Sequence, residues 1–168
     1  FLKSPREKLQ EPTSVNQYTI KEPYLTMITK LNELKEQLEF SHTNFVQVAN
    51  QLDPKKHNQA GVCGEWSPRE VVSHLVGWDK SLKEFILDTE NFDPPYDVQR
   101  FNSLSVESRK HMSWNEVMNE LNTNFLELGW AIATVKPQMK IYNRVTSWLS
   151  GRIEDYELHK SQLEDWLL

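Results

Sequence analysis

The chain has 168 residues, the size of one domain, and is long enough to bury a core without disulfides or structural metals. A net charge of -5 argues against nucleic acid as a partner, and the single cysteine, Cys63, excludes an internal disulfide and is typical of a reducing compartment. No apolar run approaches the roughly 20 residues that span a bilayer, and no signal peptide is evident, so we expect a cytoplasmic protein without membrane contact.

Residues 1–22 are polar and mixed in charge, and we predict that they form an N-terminal extension. The bundle domain is predicted over 23–168. Its first helix follows Pro23 and ends before Asp53, because apolar residues recur at spacings of three, four or their sums. These residues are Leu25, Ile28, Leu31, Leu34, Leu38, Phe45, Val48 and Leu52.

The second helix follows a loop over residues 53–66 and has a strong start signal. Ser67 can cap the helix, Pro68 suits its first position, and Glu70 completes a capping box. An apolar face then continues to Ile86, with one polar residue, Asp79, among its members. These features predict an amphipathic helix.

Two further helices are predicted, each after a long connection. Residues 91–112 contain two consecutive prolines and predict a connection with a short helix near 106–111. The third helix begins with a second capping box at Ser113 and ends at Pro137. A second connection is predicted over 138–151, and the fourth helix over 152–167. The pattern therefore predicts an all-α four-helix bundle.

One candidate metal site follows from helical spacing. Asp155 and His159 are four residues apart, so they lie on the same face of the last helix. His74 on the second helix would complete a set of two imidazoles and one carboxylate, which suits iron, zinc, nickel or manganese and leaves positions open for water or substrate. The alternative is that His74 edges a core face and that Asp155 stabilises the first turn of its helix.

Other candidates have weaker support. His42, His57 and His111 have no partner at ligand spacing, so we expect them to face solvent. Cys63 lies in a loop without a clear electropositive setting, which favours an inert thiol. The six tryptophans predict core or loop anchors, although Trp78, one turn after His74, would also suit a pocket wall.

Two segments resemble the DinB-like superfamily. Residues 66–78, with Trp66, a capped helix start, His74 between apolar residues and Trp78, are similar to its second-helix motif. Residues 159–166, in which Gln162 follows His159 by three positions, resemble its last helix. The middle of the chain, with Ser-Trp before the third helix, is closer to the ClbS/DfsB branch. The resemblance covers residues 25–168.

The resemblance implies an up-down-down-up bundle with long connections between helices 2–3 and 3–4, often as a homodimer. It also implies metal ligands at His74 and His159, on the second and last helices. The middle ligand position, a histidine in the family, falls on Asp155 in this chain. A carboxylate can replace an imidazole as a ligand, and it favours harder metals.

The resemblance leaves two functions open. The first is a metal-dependent hydrolase or thiol-dependent transferase for a small molecule, using zinc, nickel or iron, with Trp78 and Tyr156 shaping the pocket. The alternative is a ClbS/DfsB-like protein that binds or neutralises a small reactive molecule without a metal.

Overall fold

The computed structural model describes residues 21–167, which form helices and no strand within that range. The predicted all-α class is confirmed, with five α-helices instead of four. The predicted N-terminal extension lies outside the described residues, except that its last two positions belong to the first helix. The helices are α1 (Lys21–Ala49), α2 (Pro68–Leu87), α3 (Val98–Glu107), α4 (Trp114–Thr134) and α5 (Tyr142–Leu167), with a 3-10 turn at Pro54–Lys56.

The apolar stripes meet in one core. α1 packs against α5, α2 packs against both α4 and α5, and α3 packs against α2. The core is built from aliphatic and aromatic residues at helical spacing, which is why the helices adhere along these faces. Its largest fully buried members include Phe45, Leu75, Phe85, Leu121, Leu149 and Tyr156. No helix between residues 21 and 167 is long and apolar enough to cross a membrane.

Both predicted capping boxes are present. The Ser67 hydroxyl accepts from the backbone N–H of Glu70, and the Glu70 carboxylate accepts from the Ser67 backbone N–H. Ser113 and Glu116 make the same reciprocal pair at the start of α4. Each box satisfies backbone donors that a helix N-terminus would otherwise leave free. The local sequence therefore fixes where α2 begins, and with it the position of His74 along the bundle axis.

The last helix begins ten residues earlier than predicted. α5 starts at Tyr142, so the predicted connection over 138–151 is wrong and only residues 135–141 separate α4 from α5. Gly151 had suggested a break, but it is exposed and lies inside the helix, where a single glycine is tolerated. Asp155 consequently lies well inside α5, and the first-turn dipole explanation for this carboxylate does not apply.

The connection between α2 and α4 contains α3, a helix displaced from the predicted short helix at 106–111. Asp97 caps α3 by accepting from the backbone N–H of Arg100. α3 approaches α2 closely at Gly77, where an added Cβ would lie 2.2 Å from the Ser105 hydroxyl oxygen. Only glycine at position 77 allows this approach, and the contact seats α3 beside His74.

His42 departs from the prediction that it faces solvent. Its ring is buried and stacks on Phe125 with centroids 3.7 Å apart, while Tyr156 approaches it edge-on at 5.4 Å. His57 is half-buried and stacks on Trp114, and His111 is exposed as predicted. Solvent exposure depends on which face of α1 meets α4, and ligand spacing carries no information about that.

Candidate metal centre

Three predicted ligands meet where α2 and α5 pack together. His74 comes from α2, whereas Asp155 and His159 are one turn apart on α5. The His74 Nε2 atom lies 3.1 Å from Asp155 Oδ2, and the His159 Nε2 atom lies 3.4 Å from Asp155 Oδ1. Both imidazoles are buried, while the Asp155 side chain is 24% exposed. The cluster is therefore closed on its imidazole sides and open to solvent over the carboxylate.

The spacing of these atoms fits a transition metal. One ligand atom from each residue can be chosen so that all lie within 4.8 Å of one another. With metal–ligand bonds of about 2.0–2.2 Å, tetrahedral ligands are separated by roughly 3.3–3.6 Å. The distance of 3.4 Å between His159 Nε2 and Asp155 Oδ1 lies in that range, and His74 Nε2 is 3.1 Å from the other oxygen of the same carboxylate. Two imidazoles and one carboxylate suit zinc or non-haem iron and leave coordination positions open.

The outer ring nitrogens of both histidines face side-chain carbonyl oxygens. His74 Nδ1 lies 3.1 Å from Asn102 Oδ1, and His159 Nδ1 lies 2.7 Å from Gln162 Oε1. Metal-ligating histidines usually donate their second N–H to such an acceptor. Both imidazoles therefore present Nε2 toward Asp155, which is the arrangement that a shared metal requires.

A second buried carboxylate lies behind the cluster. Asp79 is fully buried on α2, accepts from Arg152 Nε at 2.8 Å, and accepts from the Tyr156 hydroxyl. Burial raises the pKa of Asp79 against the effect of the Arg152 guanidinium. Burial, and then the charge of Asp79, raise the pKa of Tyr156 well above its usual value, so the phenol keeps its proton and donates.

Arg152 connects this pair to the cluster. Its Nη1 atom donates to Asp155 Oδ2, the oxygen that also faces His74. Burial alone would raise the pKa of Asp155, but hydrogen bonds from His159 and His74 and the Arg152 charge lower it well below its usual range. Asp155 therefore stays ionised, and Arg152 holds one of its oxygens. The remaining oxygen, Oδ1, is better placed to bind a metal.

The two predicted pocket residues have different surroundings. Trp78 is half-buried, contacts Phe101 and donates from Nε1 to Asn102 Oδ1 at 2.8 Å. Tyr156 is fully buried and its hydroxyl is held by Asp79. Their role in shaping a substrate pocket stays a prediction.

Sequence reasoning missed the residues that surround the cluster. Asn102 and Arg152 contact ligands directly, yet neither was predicted to take part in the site. Asp79 carried a signal, because it was the single polar residue on an apolar helix face. Arg152 was predicted as the first residue of the last helix, and nothing in its spacing indicated that its guanidinium contacts both Asp79 and Asp155.

A surface cleft in the described residues lies apart from the cluster. It is an open cleft of about 1080 Å³ between the second half of α2, the 88–97 connection and α3. Phe92, Pro94, Pro95 and Phe101 supply apolar walls, and none of the three cluster residues lines it. The three-residue cluster and the cleft are therefore separate features.

No family model, curated protein or solved structure matches the chain. The resemblance to the DinB-like superfamily thus stays an expectation. The geometry of the three-residue cluster carries the functional conclusion.

Proposed function

We propose that the protein is a metal-dependent hydrolase or thiol-dependent transferase of the DinB-like kind that acts on a small molecule. The observation that carries the proposal is the convergence of His74, Asp155 and His159 from two helices, with both Nε2 atoms directed at one carboxylate. A divalent zinc, nickel or iron ion held there would supply Lewis acidity to the reaction.

The chain's own residues would divide the work. His74, Asp155 and His159 hold the ion, and Arg152 orients the Asp155 carboxylate through Oδ2. Burial of the two imidazoles excludes water from their side of the site, so exchangeable positions open beside Asp155. A small substrate would reach the site from that side, where Asp155 is the one partly exposed residue of the three.

Metal binding by tag-free protein tests the first part of the proposal. Isothermal titration with zinc should show one site per chain, and free zinc at 100 times Kd should stabilise the fold by about 2.7 kcal/mol. His74→Ala should lose this site, whereas His111→Ala, which removes an exposed histidine outside the cluster, should keep it. Absence of a site in the unaltered protein, or an equal site in His74→Ala, would overturn the assignment.

Activity is tested separately. Chromogenic esters test hydrolysis, and electrophilic aromatic substrates with glutathione test thiol transfer, each with zinc, nickel or iron and with a chelator. Turnover that needs the metal and disappears in His159→Ala supports the proposal. The homodimer is part of the same proposal, and light scattering at two protein concentrations tests it.

The cleft favours a second candidate function, a ClbS/DfsB-like protein that binds a small reactive molecule without a metal. Its lining combines apolar surface from Phe92, Phe101 and two prolines with many polar and charged side chains, so it could hold a small molecule that carries both kinds of group. A screen by thermal shift in the presence of a chelator would detect such ligands. Stabilisation that persists in His74→Ala but is lost in Leu87→Asp, which places a charge at the exposed cleft wall, would favour this function.

A further inference from the structure

Two side chains of α2 share one oxygen of α3. Trp78 donates from Nε1 to Asn102 Oδ1 at 2.8 Å, and His74 Nδ1 lies 3.1 Å from the same oxygen. An indole N–H can only donate a hydrogen bond. The Asn102 atom that it contacts must therefore be the carbonyl oxygen, and the amide cannot be turned to present its NH₂ group.

This orientation determines where His74 carries a proton. A carbonyl oxygen only accepts, so the His74 nitrogen facing it must be an N–H. In a histidine, the hydrogen bond that one ring nitrogen makes decides which of the two nitrogens carries the proton. A metal bound by His74 would therefore take Nε2, the nitrogen that points at Asp155 and that donates to this carboxylate when no metal is bound.

We propose that Asn102, locked by Trp78, is a positioning residue that keeps a proton on His74 Nδ1 and fixes the orientation of the His74 ring. This inference rests on the proposed metal site, and it assigns to α3 a part in that site. α3 reaches His74 because Gly77 permits its close contact at Ser105. The Trp78 side chain thus acts on the cluster through Asn102.

Four variants separate positioning from simple packing. Asn102→Leu keeps the size of the side chain and removes the acceptor. Asn102→Asp restores an acceptor and should rescue. Trp78→Phe removes the N–H that locks the amide. Ser103→Ala is the matched control, because it is exposed on the same helix and its hydroxyl bonds only to the backbone of Gln99.

The first readout uses metal-free protein and nitrogen-15 NMR of the histidine side chains. The unaltered protein, Asn102→Asp and Ser103→Ala should show a proton on His74 Nδ1, and Asn102→Leu should lose it. Trp78→Phe should show a mixture of protonated and unprotonated Nδ1. Because no metal is added, this result does not depend on whether the proposed function is correct.

The second readout is zinc affinity, measured by competition with a chromogenic chelator. Asn102→Leu should bind zinc about 10- to 100-fold more weakly, as is usual when a partner of a ligating histidine is lost, and Asn102→Asp should recover the affinity. An unchanged Nδ1 proton in Asn102→Leu would overturn the inference, whatever the affinity. Loss of the proton in a protein that binds no zinc would sustain the inference and overturn the proposed metal function.

Discussion

Arg152 donates from Nε to Asp79 Oδ1 at 2.8 Å, and both side chains are closed to solvent. The pair joins α5 to α2 directly behind the histidine cluster. The same guanidinium reaches forward to Asp155, so one buried cation bridges a structural carboxylate and a candidate metal ligand. Fold stability and site geometry therefore depend on the same side chain.

Arg152→Met should destabilise the protein strongly. The substitution leaves Asp79 buried without its cation, and breaking a buried ion pair in this way costs about 3–5 kcal/mol. Urea denaturation followed by circular dichroism measures the loss. Arg100→Met, an exposed arginine on α3, is the control and should change the free energy of unfolding little. The double variant Asp79→Leu with Arg152→Met should recover much of the loss, and equal loss in the single and double variants would contradict the assignment.

Stability should fall as the pH decreases from about 6.5 to about 4. Burial lowers the pKa of His42 from 6.5 to about 4 in the folded protein, so in this window the unfolded chain binds a proton that the folded chain does not. The full effect is about 3 kcal/mol by the conversion of a pKa difference into free energy. Below pH 4 this contribution no longer changes.

His42→Phe isolates that effect, since it keeps a ring against Phe125 and removes the titrating group. The free energy of unfolding should be measured between pH 4 and pH 7.5 for both proteins. The difference between the two curves should grow as the pH falls. Parallel curves would show that His42 does not contribute.

Asp155→Asn should weaken zinc binding more than tenfold, with little change in the shape of the side chain. The amide keeps the size of the side chain but removes the negative charge that offsets the ion and attracts Arg152. Glu157→Gln is the matched control, because this exposed carboxylate lies two residues further along α5 and outside the cluster. Titration calorimetry compares the two. Equal affinities would place the zinc elsewhere.

Ser67→Ala should cost about 1 kcal/mol of stability through loss of the cap on α2. The same change at Ser113, the cap of α4, should cost a similar amount. Only the Ser67 variant should also weaken zinc binding, because α2 carries His74 and α4 carries no ligand. Chemical denaturation and zinc competition measure the two effects. A zinc affinity that falls equally in both variants would show that the α2 cap has no specific effect on the site.

The sequence predicted the parts of the fold that depend on local chemistry. Both capping boxes, the α2 face and the ligand pair on α5 follow from spacings within one helix, and the structure has them. The start of α5 was missed because Pro137 and Gly151 suggested a connection between them. Tyr142, Val145 and Leu149 continue the buried stripe of the helix, and their packing outweighs the cost of one glycine.

The surroundings of the site could not be predicted in the same way. The contacts of His74 with Asn102 and of Arg152 with Asp79 join residues 28 and 73 positions apart. No spacing within one helix encodes them, because they depend on how α3 and α5 lie against α2. Asp79 on an apolar face indicated a buried partner, and its identity needed the three-dimensional arrangement.

The geometry of the cluster depends on the glycine at position 77. The space between α2 and α3 is so small that one extra methyl group at position 77 would press on Ser105. α3 would have to tilt or slide to relieve that pressure, and Asn102 would move with it. Gly77→Ala adds only an uncharged methyl group, about one turn from His74 on α2. The substitution would thus misalign the His74 imidazole without contacting it. A substitution at a residue that contacts none of the three candidate ligands can therefore disturb the site.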